Sequence, residues 1–476
     1  MFTSFIAIIS ALLPWLIGAF LGMRLCRARP DIQGITAIAA GTGGFLGYLA
    51  IALALWLSNQ LGISLFDKTF VLALGVLAMF TIATLRPSAR QTQLFKSTQP
   101  LTATIITLLL LYAGYSVFIS LNVPAYGWDA LDYWSRFAAK FVAHSTTDPT
   151  PRLFYDQSPI HPHTASFILA WSSWCGAQYG GSLSLAWSVP WLGFLLSTSL
   201  LVAGWGYNQT QNVNVALVLV LFAISVPLFE NHVLISGYAE LLVALAMMAS
   251  SVFAAIAIQE RARGIMAVAL AMALIPVFLK NTGPAYALAP IVASGFVWFA
   301  YPHARRAVAL TFVCAMAVIF IWNQGFLFQH GDLRLAYDAD NKVITFGLRQ
   351  LELITPPVSE VLANEIQSRL LNSSFSISLV AICLCFIVSW KASATPITVP
   401  LAFVIAVFTA LLAQQFLSQF TEYGLKYAGI DSDTGLSRFS LPAFMLAPIL
   451  AATLLNLATY QSSSHMTPPD KQLSGH

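Results

Sequence analysis

The chain carries repeated apolar stretches of twenty or more residues with almost no charge inside them, and that feature leaves few folds open. Ser4–Cys26, Ile35–Leu57, Leu101–Leu121, Val308–Phe328 and Pro396–Leu417 are each long enough to cross ~30 Å of hydrocarbon at ~1.5 Å per residue. Lipid cannot hydrogen-bond bare backbone groups, so such segments must be helices. The balance of residue types agrees: 58% of the 476 residues are hydrophobic and 9% are charged, against roughly 25% charged in soluble domains. The expected fold is therefore all-α, a polytopic membrane protein with outer-face loops that carry short interfacial helices. The first four residues lack the basic segment of a cleavable signal, so the first apolar run is expected to stay as a helix.

Arginine and lysine in short loops mark the cytoplasmic side and orient the spans. Arg24, Arg27 and Arg29 follow the first helix, Arg86, Arg90 and Lys96 the third, Arg261 and Arg263 the run Val243–Ile258, and Arg305 and Arg306 the run Tyr286–Tyr301. Threading the chain through these anchors gives about thirteen spans, with the N-terminus outside and the C-terminus in the cytoplasm. Three longer loops emerge on the outer face, at 122–163, 329–373 and 420–437. They hold thirteen of the nineteen acids, among them Asp129, Asp132, Asp338, Asp340 and Glu352. Orientation does not require that clustering, because acids contribute little to it. Four regions follow: N-terminal helices in 1–100, a core in 101–300, C-terminal helices in 301–460, and a polar tail, 461–476, expected to be disordered.

The cysteines (Cys26, Cys175, Cys314, Cys383 and Cys385) sit in apolar or helix-end contexts and define no disulfide framework. The net charge of +4 excludes no partner class by itself, because placement matters more than the sum. No soluble domain fits between the spans, so function is expected at the outer face.

The first outer loop contains Gly127-Trp128-Asp129-Ala130-Leu131-Asp132-Tyr133-Trp134. Continued to Phe141, it reads as an interfacial helix with Asp129, Asp132, Arg136 and Lys140 along one face and aromatic residues opposite. Two carboxylates beside basic and aromatic groups just beyond a span suit a hydroxyl-activating base and a sugar or phosphate site. A surface helix in which Asp132 pairs with Arg136 satisfies the same pattern. Farther on, His161-Pro162-His163 precedes an apolar stretch, Thr164–Trp174, short for a span. The two histidines have metal-ligand chemistry, but two residues apart in a Pro-interrupted segment they make a weak metal signal, and helix capping or hydrogen bonding is the favoured account.

Together, Gly127-Trp128-Asp129, Asp132-Tyr133-Trp134 and His161-Pro162 before an apolar helix resemble the GT-C superfamily of polytopic glycosyltransferases. The pattern is similar to that of the aminoarabinose transferase and the protein O-mannosyltransferases, whose first acidic outer loop supplies the base. Ser236-Gly237-Tyr238-Ala239-Glu240 resembles the family's second-loop acid, and Lys280-Asn281-Thr282-Gly283 a Lys-Asn-Glu-Gly element with threonine in the acid's place. Leu436-Ser437-Arg438-Phe439 is similar to its late arginine, which holds the donor phosphate.

The resemblance implies a polyprenyl-phosphate sugar donor, a glycan, lipid or protein acceptor, and an outward-facing site in the inner (plasma) membrane, with no nucleic acid involved. It implies Asp129 as general base, with Asp132 and Glu240 beside it. Lys280 and Arg438 would bind the donor phosphate, and Trp128, Tyr133, Arg136, His161 and His163 would bind substrate. The acids have the oxygen chemistry to hold magnesium or manganese, and the metal question stays open. Arg438 at a span end also fits simple snorkelling to the headgroups. The loop 329–373, with an amphipathic Val358–Leu371 segment, is expected to close as a lid or to pack only. One departure from the family is that about three spans precede the helix entering the acidic loop, where familiar members have one. A polymerase or ligase of O-antigen type and a secondary transporter are the alternative readings.

Overall fold

The computed structural model describes residues 2–26, 32–84, 100–122, 134–144, 162–179, 183–234, 237–280, 283–300, 325–330, 333–346, 349–354, 373–392, 399–418 and 435–464, with 357, 359, 361–363, 366 and 420. The helices in chain order are α1 (Phe2–Leu25), α2 (Ile35–Gln60), α3 (Lys68–Ala83), α4 (Pro100–Asn122), α5 (Arg136–His144) and α6 (Thr164–Gln178). They continue with α7 (Leu183–Thr210), α8 (Val213–Ile224), α9 (Pro227–Leu234), α10 (Glu240–Glu260), α11 (Arg263–Leu274) and α12 (Gly283–Ala300). Four strands follow, β1 (Phe326–His330), β2 (Leu333–Asp338), β3 (Val343–Phe346) and β4 (Arg349–Glu352). Then come α13 (Ser373–Ala392), α14 (Val399–Ser418), α15 (Gly435–Phe444) and α16 (Ala447–Ser464).

Five described helices are long and apolar enough to cross a membrane, or six if α8 and α9 form one span bent by 68°. The break falls at Ser225-Val226, directly before Pro227, which has no N–H to continue a helical ladder. Leu110, Leu111, Phe118 and many other large apolar side chains point outward, which is the surface that lipid solvates.

The core gathers α1, α2, α6, α7, α10 and α16 around buried Phe45, Tyr48, Trp171, Trp191, Phe194 and Trp205. Helices α1 and α2 meet at Gly18 and Gly43, where a Cβ on either residue would overlap the other's carbonyl oxygen. Close backbone approach of this kind gives apolar helices their packing energy in a lipid solvent, where burial from water supplies little. Trp15 on α1 then donates Nε1–H to Ser197 Oγ on α7 at 2.9 Å, and Trp205 reaches Ile449 O and Thr453 Oγ1 on α16, both at 3.2 Å. The first two helices thus share one hydrophobic core with α6 and α7.

Local capping follows residue chemistry. Asp67 accepts from the Thr69 N–H at 2.7 Å and the Thr69 hydroxyl at 2.9 Å, which starts α3 and holds the Asp67 carboxyl below its usual range. Asn212 caps α8 through the N–H groups of Asn214 and Val215.

The outer loop expected at 329–373 contains a feature absent from the sequence reading, a four-stranded antiparallel meander in the order β1-β2-β3-β4. The expected span Val308–Phe328 ends differently as well, because Phe326, Leu327 and Phe328 are the first residues of β1. Its preceding part, 308–324, lies outside the described residues. The β2–β3 turn is closed by Asp338, which accepts from the N–H groups of Asp340 and Asn341 and from Asn341 Nδ2; these bonds hold its carboxyl below the ordinary value. Within the Val358–Leu371 segment only 359, 361–363 and 366 are described.

Candidate functional site

Helix α10 starts at Glu240, an acid in the first turn, where the N–H groups and helix dipole favour negative charge. The chain reaches it through Gly237, whose φ of 112° is open to glycine and strained for other residues. Helix α10 runs to Glu260 and ends at Arg261 in the left-handed region. Arg263 then opens α11, so Glu240 lies at the end of α10 opposite these arginines.

Helix α11 returns toward the Glu240 end and tightens into a 3-10 turn, Ile275–Phe278, with Pro276 inside it. Leu279 and Lys280 both donate their N–H to Pro276 O, at 3.0 and 3.1 Å, and Gly283 N–H donates to Lys280 O at 2.8 Å. Any Cβ at Gly283 would collide with Pro276 O, so the turn that presents Lys280 depends on glycine there. The outcome is a buried ion pair: Lys280 Nζ donates to Glu240 Oε1 at 2.6 Å, with the side chains 5% and 4% exposed. A charge-assisted bond of that length in a low-dielectric setting is strong, and removal of one partner leaves a buried charge behind.

Three more elements converge on this end. Thr164, the first residue of α6, donates its hydroxyl to Phe278 O at 2.6 Å, which ties α6 to the Lys280 turn. His163 precedes Thr164 as the N-cap position and lies among Phe137, Phe141 and Phe167, with ring centroids 4.6, 5.8 and 6.3 Å away. Burial among those rings lowers the His163 pKa to about 4, so its imidazole is neutral at pH 7. Helix α9 contributes His232, buried, with Nδ1 2.7 Å from Leu228 O. A carbonyl can only accept, so Nδ1 carries the proton, which fixes the tautomer. The His232 ring stands edge-on to Tyr238 at 5.7 Å, two residues before Glu240. Helix α9 is held in turn by Leu228 N–H donating to Ser374 Oγ on α13 at 2.8 Å. Finally α15, which carries Arg438, packs against both α10 and α9.

Of the residues singled out by sequence, Glu240 and Lys280 are brought into direct contact. Arg438 lies on a helix packed against α10. Arg136 is exposed at the start of α5, whose opposite face buries Trp134, Phe137, Ala138 and Phe141, as the amphipathic reading of that segment requires. His163 occupies the N-cap position of α6 without a side-chain cap hydrogen bond and packs among aromatic rings. Asp129, Asp132, Trp128, Tyr133 and His161 lie outside the described residues. Among the described residues no three His, Cys, Asp or Glu side chains are grouped as a metal site.

Sequence reasoning passed over His232, although Glu230-Asn231-His232 is a polar triplet between apolar segments and was a readable signal. It also passed over Thr164, whose partner is 114 residues away and leaves no local trace.

No protein-family model, curated protein or solved structure matches the chain. The geometry stands on its own.

Proposed function

We propose that the chain is a membrane glycosyltransferase of the GT-C kind, which moves a sugar from a polyprenyl-phosphate donor to an acceptor hydroxyl at the periplasmic face. In this reading about thirteen spans cross the plasma membrane, with the N-terminus outside and the C-terminus in the cytoplasm. The observation that carries the reading is the buried Glu240–Lys280 pair at the start of α10, a helix against which α15, the helix of Arg438, also packs. A cation fixed at a helix break suits a phosphate that leaves with negative charge.

The reaction runs in one displacement. The acceptor oxygen forms a bond to the anomeric carbon as the bond from that carbon to the phosphate oxygen breaks, and the departing electron pair becomes charge on the phosphate. Asp129 takes the acceptor proton, which contributes roughly 10²–10⁴-fold. Lys280 and Arg438 stabilise the phosphate, and Arg is suited to it by two parallel N–H donors.

The test is turnover of a polyprenyl-phosphate sugar by the purified chain, with D129N and R438A as variants. Loss of transfer in D129N and weakened donor saturation in R438A are expected, and wild-type-like values for both sink the assignment. Secondary transport is the second reading, favoured by a specific observation: the 68° break between α8 and α9 and a buried ion pair beside a second helix break. Uptake of a solute by vesicles containing the purified chain, with no sugar transfer, decides for it.

A further inference from the structure

The break between α8 and α9 takes two backbone groups out of the helical ladder. A helix continued from α8 into α9 pairs Ile224 O with the Leu228 N–H, four residues on. Pro227 removes only its own N–H, so the chain retains both of these groups. In the structure each is bound instead by a hydroxyl from a different helix. Tyr112 of α4 donates to Ile224 O at 2.6 Å, and the Leu228 N–H donates to Ser374 Oγ of α13 at 2.8 Å. Where a helix is broken at membrane depth, neighbouring side chains must supply such partners. One backbone bond is thus exchanged for two side-chain bonds, and the two helices meet at 68°.

The exchange bears on the position of α9. This helix is eight residues long and touches α4, α7, α8, α10, α13 and α15. Its first turn is held at Leu228 on both sides, the N–H by Ser374 and the carbonyl by His232 Nδ1 at 2.7 Å. The imidazole is therefore fixed within α9 and moves with it. Its ring lies 5.7 Å from that of Tyr238, which follows the positive-φ Gly237 and precedes Glu240 by two residues. A run of contacts leads from Ser374 through Leu228 and His232 to the turn that begins α10.

We infer that the α8–α9 break is a hinge with two settings. In the clasped setting, Tyr112 and Ser374 hold the separated ends of the broken bond. In the other, Ile224 O and the Leu228 N–H bond to each other, the bend falls toward the smaller kink of a proline within a continuous helix, and α9 carries His232 away from Tyr238. The change trades neutral hydrogen bonds for one another and buries no new charge. A ligand at the Glu240 end that favours one setting shifts the population toward it. Such a hinge serves a transferase and a transporter alike, because it depends on no particular ligand.

The full chain in lipid nanodiscs provides the test. Spin labels on ketone-bearing amino acids at the exposed positions Val218 of α8 and Asn231 of α9 leave the five cysteines in place. Pulsed electron paramagnetic resonance then reads the separation across the hinge. Tyr112→Phe and Ser374→Ala each remove one clasping bond, and each is expected to raise the ratio of the second setting to the first roughly fivefold. The double variant raises it roughly 25-fold, so that a setting held by about one molecule in a hundred comes to about one in five. The longer separation gains population accordingly. Pro227→Ala restores an N–H, removes the ring's clash with the Ala223 carbonyl, and moves the population the same way. Carbethoxylation of His232 by diethyl pyrocarbonate, located by mass spectrometry, rises in parallel, because the residue is only 5% exposed when clasped.

An unchanged distance distribution in the double variant overturns the hinge. If that variant loses its thermal transition, Pro227→Ala decides alone, and an unchanged distribution there overturns the hinge as well. A shift in distance with no rise at His232 overturns the link from the hinge to the start of α10.

Discussion

Helices α4 and α10 are nearly the same length, 23 and 21 residues, and both are apolar enough to span a membrane. They occupy opposite environments. The span within α10 is 100% buried inside the protein, and that within α4 only 11%. Hydropathy does not separate them, because lipid and protein interior are equally apolar solvents. Side-chain size does. Helix α10 is built from Ala244, Ala246, Ala249, Ala254, Ala255 and Ala257, with Ser250 donating its hydroxyl to Ala269 O on α11 at 2.9 Å. Helix α4 presents Leu108, Leu110, Leu111, Tyr115 and Phe118 to its surroundings. Small residues admit neighbouring backbones, whereas large flexible ones mix with acyl chains. Charge separates them too, since the acid at the start of α10 has a buried partner.

The contrast is broken most directly at that partner. Lys280→Met should destabilise the folded chain by roughly 3–5 kcal/mol, because Glu240 is left buried and charged. Thermal unfolding in detergent measures it, and E240Q/K280M should recover most of the loss. A smaller effect is expected at Ala249, which is fully buried. Ala249→Leu should cost about 1–3 kcal/mol through overpacking against neighbouring helices, by the same measurement.

His163 gives a pH-dependent contribution. Its folded pKa, about 4, lies below the unfolded value of roughly 6.5, so protons bind the unfolded chain first. Its stabilising share is complete above about pH 6.5 and is lost as pH falls toward 4. His163→Phe should flatten that part of the profile of melting temperature against pH, and an unchanged slope refutes the assignment. At the low end, Leu110→Ala on α4 should shift stability by no more than ~0.5 kcal/mol, since the side chain faces outward at 68% exposure. A loss as large as that at Ala249 would show that α4 has a protein partner on its outer face.

The same contrast explains what the sequence could and could not tell. Apolar length marked α1, α2, α4 and α10 as spanning segments, because the requirement for internal hydrogen bonding in lipid leaves its mark on every residue of a span. Amphipathic spacing showed the buried face of α5 for the same local reason. Glu240 and Lys280 were each singled out through the family resemblance, but their bond joins residues 40 positions apart across a helical hairpin and leaves no local trace. The β-meander escaped because Phe326-Leu327-Phe328 continues an apolar run. Its better signal, the Asp338–Asn341 turn between alternating strands, was read as loop charge. His232 was missed although the polar triplet Glu230-Asn231-His232 was legible, because the triplet does not reveal that the imidazole is buried against Tyr238.

The bond from Trp15 to Ser197 has a consequence for synthesis. Its two residues are 182 positions apart. At about 5–20 residues per second, the α1–α2 hairpin exists for roughly seven to thirty seconds before the ribosome has made the segment that completes its seam. Its glycine contacts are internal to the pair and are complete at once. Its tryptophan must wait in the bilayer for a serine not yet translated. Within the hairpin the indole already rests on Gly44 of α2, and α7 adds the acceptor for its N–H.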